Sequence, residues 1–225
     1  MASRDLRTRL TRRAAKAGVF LSDTLTDSLL AYFDLLSRWN KKINLTALDD
    51  PDEAVDRLLI EPLVAARSIP FPDTRLIDIG SGGGSPAIPM RLALPDLRVT
   101  MVEAKARKSA FLREAVRTLA LSATTVETAR YEELLTRPEL HEAFGCVSIR
   151  AVRIESRVLQ TLQAFLSAGG VMLLFRGPGG PETPTRIMPP LTWTATIPLV
   201  DSLQSRLTIL TKRAVGAAYT FHVER

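Results

Sequence analysis

The chain of 225 residues is poor in the residues that build disulfide frameworks and metal centres. It has one cysteine, Cys146, and two histidines, His141 and His222. A single cysteine excludes an internal disulfide and a cysteine-rich zinc site, and two histidines argue against catalysis by a histidine-held metal. We therefore expect no metal cofactor. Cys146 lies in an apolar stretch, which favours a core residue over a covalent nucleophile.

Long apolar runs are also missing, since no stretch approaches the roughly 20 residues that a transmembrane helix needs. The basic N-terminus is not followed by the apolar segment of a secretory signal. An arginine-rich transit peptide is the alternative, but residues 22–40 have the pattern of a folded amphipathic helix. These features predict a cytoplasmic protein with no membrane partner, and a monomer is the default expectation.

Acidic residues are outnumbered, with 30 lysines and arginines against 24 aspartates and glutamates and a net charge of +6. A basic surface favours a polyanionic partner. The first 16 residues contain one acid, Asp5, and six bases: Arg4, Arg7, Arg9, Arg12, Arg13 and Lys16. This segment is either the solvated face of a helix or an arm that contacts phosphates, and the sequence leaves both open.

The first 70 residues have the patterns of helices. Apolar residues recur at helical spacing from Leu25 to Trp39, and Ser22 or Thr24 can cap the start, which predicts a helix over 22–40. The pattern breaks at 39–46, where we expect a turn. A second helix begins at Pro51, and its apolar face consists of Ala54, Val55, Leu58 and Leu59. We expect residues 1–70 to form a helical extension.

From residue 74 onward, short apolar segments alternate with helical patterns. We predict strands over 75–79, 98–102, 124–128, 146–149, 170–175, 192–197 and 206–211, and helices over 86–94, 107–119 and 154–166. Such alternation is typical of a parallel sheet covered by helices on both faces. We therefore predict an α/β fold, in which residues 71–225 form a Rossmann-like domain with a mostly parallel seven-stranded sheet and a loop after Gly177.

A glycine-rich turn follows the first predicted strand, at Gly80-Ser-Gly-Gly-Gly-Ser85-Pro86. A strand, a glycine turn and a helix together form a cradle for nucleotide-like ligands. The turn lacks the lysine of a phosphate-binding P-loop, and Ser85 replaces the third glycine of a dinucleotide fingerprint. Glu103 ends the second strand, where a carboxylate can accept hydrogen bonds from a ribose. Dinucleotides and S-adenosylmethionine both satisfy this pattern.

Several motifs resemble the glucose-inhibited division protein B family, the bacterial 16S ribosomal RNA guanine-N7 methyltransferases. Residues 39–46, W-N-K-K-I-N-L-T, resemble the family signature, and residues 78–89 are similar to its D-V-G-S-G-x-G-F-P-G-I-P loop. Residues 102–112 resemble its acidic second motif, and residues 148–151 its S-R-A segment. Arg176-Gly177 stands where the family has Lys-Gly. The resemblance implies a Rossmann-like S-adenosylmethionine-dependent methyltransferase fold.

The resemblance also implies site residues. Contacts to S-adenosylmethionine are implied for the glycine loop at Gly80, Gly82 and Ser85, for the ribose at Glu103, and for the adenine pocket at Tyr131 and Glu132. We include the neighbours Ala104, Lys105 and Arg130 in this predicted cofactor site. Arg150 is implied on the substrate or cofactor side. It is our candidate catalytic residue, because an arginine can hydrogen-bond O6 and N7 of guanine.

Four residues depart from the family pattern. Ser85 replaces a phenylalanine of the loop, and Ala87 replaces a glycine. In the second helix, Leu58 replaces a histidine and Glu61 an aspartate. These changes leave the cofactor affinity and the target base open.

Methylation of guanine N7 needs alignment rather than a general base, because this ring nitrogen carries a lone pair and no proton. The sequence agrees, since no Asp/Asn-Pro-Pro-Tyr/Phe motif follows the fourth strand. We expect 16S ribosomal RNA or the small ribosomal subunit to be the partner. The predicted RNA-binding residues are Arg38, Lys41, Lys42, Arg107 and Lys108. Trp39 either stacks on a base or packs at the end of its helix.

Three alternatives remain at this point. A small-molecule methyltransferase would use the same core without a basic face. A nicotinamide-dependent oxidoreductase is disfavoured by the imperfect glycine fingerprint and by the missing Tyr-x-x-x-Lys. A non-catalytic RNA-binding relative would fit the departures at Ser85 and Ala87.

Overall fold

One seven-stranded sheet forms the centre of the computed structural model, which describes residues 3–46, 50–150, 155–178 and 187–214. Its strands are β1 Arg75–Ile79, β2 Arg98–Val102, β3 Thr124–Glu127, β4 Phe144–Arg150, β5 Leu166–Arg176, β6 Leu191–Pro198 and β7 Arg206–Lys212. They lie in the order β3-β2-β1-β4-β5-β7-β6. Strands β1 to β5 pair in parallel, and β7 is antiparallel to both of its neighbours. The predicted Rossmann-like architecture is confirmed.

The helices of the described residues are α1 Ser3–Lys16, α2 Asp23–Ile43, α3 Pro51–Val55, α4 Glu61–Ala66, α5 Ala87–Ala93, α6 Ala106–Thr118, α7 Tyr131–Leu134 and α8 Ser156–Leu162. A π-helical turn, Asp56–Ile60, joins α3 to α4. None of the described helices has the length and hydropathy that crossing a bilayer requires.

The sheet separates two apolar clusters, because side chains alternate between its faces. On one face, Leu76 and Cys146 pack with residues of α1, α2 and α6. On the other face, Ile77 and Val147 pack with residues of α7 and α8. Helices therefore cover both faces, as predicted. The N-terminal helices share a core with the sheet, while the domain boundary at residue 70 stays a prediction.

Helix α2 begins as predicted but ends later. The Ser22 hydroxyl caps it by accepting from the amide of Leu25 (3.1 Å). The helix continues to Ile43, so the turn predicted from residue 39 begins at Asn44, which is left-handed (φ 55°). The backbone of Asn40 stays helical, and its side chain stabilises the turn that follows. Its Oδ1 accepts from the amides of Leu45 and Thr46 (2.6 and 2.8 Å).

Trp39 packs against the neighbouring helix. Its ring meets Phe111 of α6 edge to face, with 5.8 Å between the ring centroids. This contact supports the packing interpretation over stacking on a base.

The basic N-terminal segment is a helix whose arginines pair within the protein, which favours the helix-face interpretation over a phosphate-contacting arm. Leu6 and Leu10 of α1 are buried. The intramolecular ion pairs of this helix include Arg7–Asp27, Arg9–Asp5, Arg9–Asp52, Arg12–Asp52, Arg13–Asp52 and Arg13–Asp56. These carboxylates already occupy the guanidinium groups that a phosphate would need.

Pro62 explains why the helix widens beside the glycine loop. It has no amide hydrogen, so it cannot donate to the carbonyls four and five residues earlier, those of Leu58 and Arg57. These two carbonyls accept from side chains: Ser85 Oγ donates to Leu58 O (2.9 Å), and Arg150 Nη1 donates to Arg57 O. The irregular turn thereby binds two residues of the predicted site.

The observed bounds of β5 and α8 differ from the predicted ones where small residues weaken the hydrophobic pattern. β5 begins at Leu166 rather than 170, and α8 ends at Leu162 before a 3-10 turn. The short helix α7 was not predicted. The predicted helix start at Ile154, the family-like Ala151 and most of the loop after Gly177 lie outside the described residues.

Candidate functional site

The glycine loop lies at the carboxyl edge of the parallel strands, between β1 and α5. The amides of Gly80 and Ser81 both donate to Val102 O of β2 (2.9 and 3.0 Å). Gly84 has φ +85°, and a Cβ there would lie 2.4 Å from Ile88 Cδ1. The loop is therefore folded tightly onto its neighbours, which leaves its outer backbone available to a ligand.

Glu103 is fixed next to this loop. Its Oε2 accepts from the amide of Gly82 (3.0 Å), and its Oε1 accepts from the amide of Lys105 (2.8 Å). Each carboxylate oxygen can accept a second hydrogen bond. The carboxylate is thus oriented to receive two neighbouring hydroxyl groups, as the ribose prediction requires.

Two adjoining cavities contain most of the predicted cofactor residues, and both are lined by Gly80. The first, the loop cleft, has a volume of about 460 Å³; the predicted residues that line it are Gly80, Gly82, Ser85, Glu103, Lys108 and Arg150. The second, the side recess, has a volume of about 250 Å³; the predicted residues that line it are Gly80, Ala104, Arg130, Tyr131 and Glu132. A ligand with a polar end and a flat apolar end fits this pair of cavities.

Some predicted residues lie elsewhere. Lys105 contributes its amide to Glu103, while its side chain is exposed and lines neither cavity. Arg107 is exposed and also lines neither. Arg38, Lys41 and Lys42 line a separate groove between α2 and α6, which we call the α2–α6 groove.

Arg150 is held by three groups. It pairs with the buried Glu61 (2.9 Å), lies over the ring of Phe175 (4.4 Å to its centroid) and donates to the carbonyl of Arg57. Burial lowers its pKa, and Glu61 and Asp78 oppose that shift. Its Nε and Nη2 find no partner within the described part of the chain. Both atoms are buried, so a ligand in the loop cleft reaches them only if the Arg150 side chain moves.

Asp78, the last acidic residue before the loop, is fully buried at the end of β1. Ser148 Oγ donates to its Oδ1 (2.6 Å), whereas its Oδ2 has no partner among the described residues. Burial raises the pKa of this carboxyl. Asp78 lines neither the loop cleft nor the side recess, so the cost of this buried acceptor lies behind the wall of the site.

Sequence reasoning missed the residues that connect the N-terminal helices to the loop. Tyr32 of α2 is buried and donates to Gly83 O (2.6 Å), and Glu61 holds Arg150. Tyr32 had a signal, because a tyrosine on an apolar helix face needs a polar partner. Glu61 was noted only as a replacement for the family's aspartate, and its partner could not be predicted because Arg150 lies 89 positions along the chain. Cys146 is buried in the core and burial raises its thiol pKa, in agreement with a packing role.

Comparison with known proteins agrees with this geometry. The family model described as rRNA small subunit methyltransferase G matches residues 25–182. Two relatives named ribosomal RNA small subunit methyltransferase G are 36% identical over 165 residues, or 73% of this chain: one from Syntrophus aciditrophicus, 68% covered, and one from Neisseria meningitidis, 73% covered.

Among solved structures, a Klebsiella pneumoniae chain described as an O-methyltransferase has a TM-score of 0.62 at 16% identity, over 91% of this chain and 99% of that one. This likeness shows the fold alone. The family match, by contrast, disfavours the nicotinamide-dependent alternative. The chain belongs to the rRNA small subunit methyltransferase G family, whose members are S-adenosylmethionine-dependent methyltransferases.

Proposed function

We propose that this protein methylates N7 of a guanine in 16S ribosomal RNA. The observation that carries the proposal is the loop cleft with its adjoining side recess, which offers an oriented carboxylate, the guanidinium of Arg150 and an apolar pocket at one edge of the sheet. The family name of the relatives supports the substrate. We also propose that the protein acts as a monomer in the cytoplasm.

The chain's own residues fit S-adenosylmethionine. Glu103 would accept from the ribose hydroxyls, and Tyr131 and Glu132 would line the adenine pocket in the side recess. The guanidinium of Arg150, which lines the loop cleft, would match the carboxylate of the methionine end. When bound, the cofactor supplies an electrophilic methyl group on a sulfonium.

For this reaction, the main task of the protein is to align guanine N7 with the methyl group. Guanine N7 supplies its own lone pair, so no proton has to be removed before the transfer. Holding the two reacting groups in line contributes on the order of 7–11 kcal/mol to lowering the barrier. Glu61 and Phe175 hold Arg150 at the loop cleft, where the arginine would help to hold the cofactor in position.

A methyl-transfer assay tests the proposal. The protein is incubated with radiolabelled S-adenosylmethionine and with either naked 16S RNA or small subunits that lack the modification. We expect label in 7-methylguanosine after nuclease digestion. Label in another nucleoside would overturn the base assignment, and label only in small molecules would favour the small-molecule alternative.

The RNA is proposed to lie along the α2–α6 groove and toward Lys108 and Arg107. Arg38, Lys41 and Lys42 are exposed there, and α6 runs from Lys108 at the loop cleft to Thr118 in the groove. A helix of that span is about 15 Å long, enough for two or three phosphates. Arg117 in the same groove already pairs with Glu114 (2.8 Å).

The double variant Lys41→Ala/Lys42→Ala is expected to weaken RNA binding and to reduce its salt dependence. Each lost phosphate contact lowers the slope of log affinity against log salt by about 0.7 to 0.9. The control is Arg4→Ala/Lys16→Ala on α1, which removes the same charge elsewhere. Equal slopes for the two variants would contradict the groove and indicate a general charge effect. Binding is measured by filter retention between 50 and 200 mM salt.

A further inference from the structure

We propose that Arg57 selects guanine as the target base by donating a hydrogen bond to its O6 atom. This inference rests on the proposed methylation of guanine N7 and adds the residue that reads the base. Arg57 lines the loop cleft together with Gly82, Ser85 and Glu103, so this residue stands at the border of the space where cofactor and base must meet.

The guanidinium of Arg57 is held weakly. It pairs with Glu53 four residues earlier (3.0 Å), and the two side chains are 36% and 40% exposed. Exposed pairs of this kind contribute little, so the group can turn toward a ligand at small cost. Its Nε is buried and has no hydrogen-bond partner in the described residues. The donor available to a ligand is Nη2, once the group turns away from Glu53.

The other cations of the loop cleft are less suited to reading a base. Arg150 is fixed by the buried carboxylate of Glu61 and by the ring of Phe175. Lys108 ends in a single ammonium, which attracts phosphate but lacks the planar donor pattern that matches a base edge. Among the described residues that line the cleft, Arg57 is the arginine not held by a buried carboxylate.

The backbone of Arg57 is fixed even though its side chain can move. Its carbonyl accepts from Arg150, and the next carbonyl, that of Leu58, accepts from Ser85 of the glycine loop. Both contacts follow from the widened turn before Pro62. The Arg57 side chain therefore starts from a point that is tied directly to the cofactor loop, as a base-positioning residue requires.

The chemistry of the base explains the choice of O6. Guanine presents two adjacent acceptors on this edge, N7 and O6, whereas adenine presents N7 and an amino donor. An N–H from Arg57 to O6 leaves the N7 lone pair directed at the methyl group. Adenine would place its amino donor against the arginine donor and be rejected.

The experiment removes O6 from the base and Arg57 from the protein, separately and together. Small-subunit RNA is ligated with either guanine or 2-aminopurine, which keeps N7 but lacks O6, at the methylated position. The wild type is expected to prefer the guanine RNA by about 5- to 150-fold in kcat/KM and in affinity with S-adenosylhomocysteine bound. In Arg57→Ala, the preference is expected to fall to within about twofold.

Two controls keep the result specific. Arg38→Ala, in the α2–α6 groove, should weaken binding of both RNAs and keep the preference. Arg57→Met retains the apolar stem; if Arg57→Ala fails to fold, this variant carries the test, with S-adenosylhomocysteine affinity as the check of folding.

The outcomes separate this inference from the proposed function. A wild-type preference that survives in Arg57→Ala would show that another group reads O6, and an equal loss for both RNAs would show that Arg57 contacts a phosphate. Either result overturns the inference while methylation of N7 stands. Absence of 7-methylguanosine from wild-type reactions would instead overturn the proposed function.

Discussion

Replacement of Arg150 by methionine is expected to destabilise the protein by about 3–5 kcal/mol, because it leaves a buried carboxylate without its partner. Glu61 is 5% exposed at the side chain and lies 2.9 Å from Arg150, which is 15% exposed. Loss of the guanidinium also removes the donor to Arg57 O and the cation over Phe175. The free energy of unfolding is measured by urea denaturation.

The double variant Arg150→Met/Glu61→Leu separates the pair from the packing. It removes both charges, so most of the lost stability should return. Arg117→Met serves as the control, because its pair with Glu114 is largely exposed and should be worth less than about 1 kcal/mol. If Arg150→Met and Arg117→Met lowered the free energy of unfolding equally, the buried Glu61 would not need Arg150 as its partner.

Substitution of Glu103 by alanine is expected to weaken S-adenosylmethionine binding by about 100-fold or more. Two hydrogen bonds from ribose hydroxyls to a charged acceptor are worth about 1.5–3 kcal/mol each. The change also removes the acceptor for the amides of Gly82 and Lys105, so the cradle loses its orientation. Both effects act on the cofactor rather than on the RNA.

Isothermal titration with S-adenosylmethionine and S-adenosylhomocysteine measures this loss. Glu103→Gln keeps an acceptor without the charge and should give an intermediate affinity. Glu114→Ala, on the far part of α6, should bind as the wild type does. The ribose assignment would be wrong if Glu103→Ala retained wild-type affinity for both ligands.

The sheet was predictable because its strands carry strong local signals. β1 and β2 have the predicted bounds, since each is a short apolar segment between a charged residue and a turn. β5 begins four residues early because Leu166 pairs with Phe144 of β4, and residues 167–170 form an irregular step in the ladder that has no strand pattern in the sequence. Helix α2 runs past Trp39, where the sequence predicted a turn. The side chain of Asn40 accepts hydrogen bonds from the amides of the later turn while its backbone stays helical.

The site was predictable only where its residues share a motif. The glycine loop and Glu103 come together because parallel strands end at one edge, and that follows from the sequence. The roles of Glu61, Tyr32 and Arg57 depend on contacts between the N-terminal helices and the loop. Periodicity shows that these helices bury a face, but it does not show which residues that face meets.

The ion pairs of α1 influence the electrostatic field that a distant polyanion meets. Asp27, Asp52 and Asp56 cancel much of the charge of this arginine-rich helix, so it contributes little to the long-range electrostatic field. The exposed Arg38, Lys41 and Lys42 at the end of α2 form no ion pair among the described residues, so they contribute more to this field. Salt screens this electrostatic field beyond about 10 Å. Within that distance, the field orients an approaching polyanion before it makes contact. The encounter is therefore oriented, and its rate should depend on which cations are cancelled rather than on the net charge.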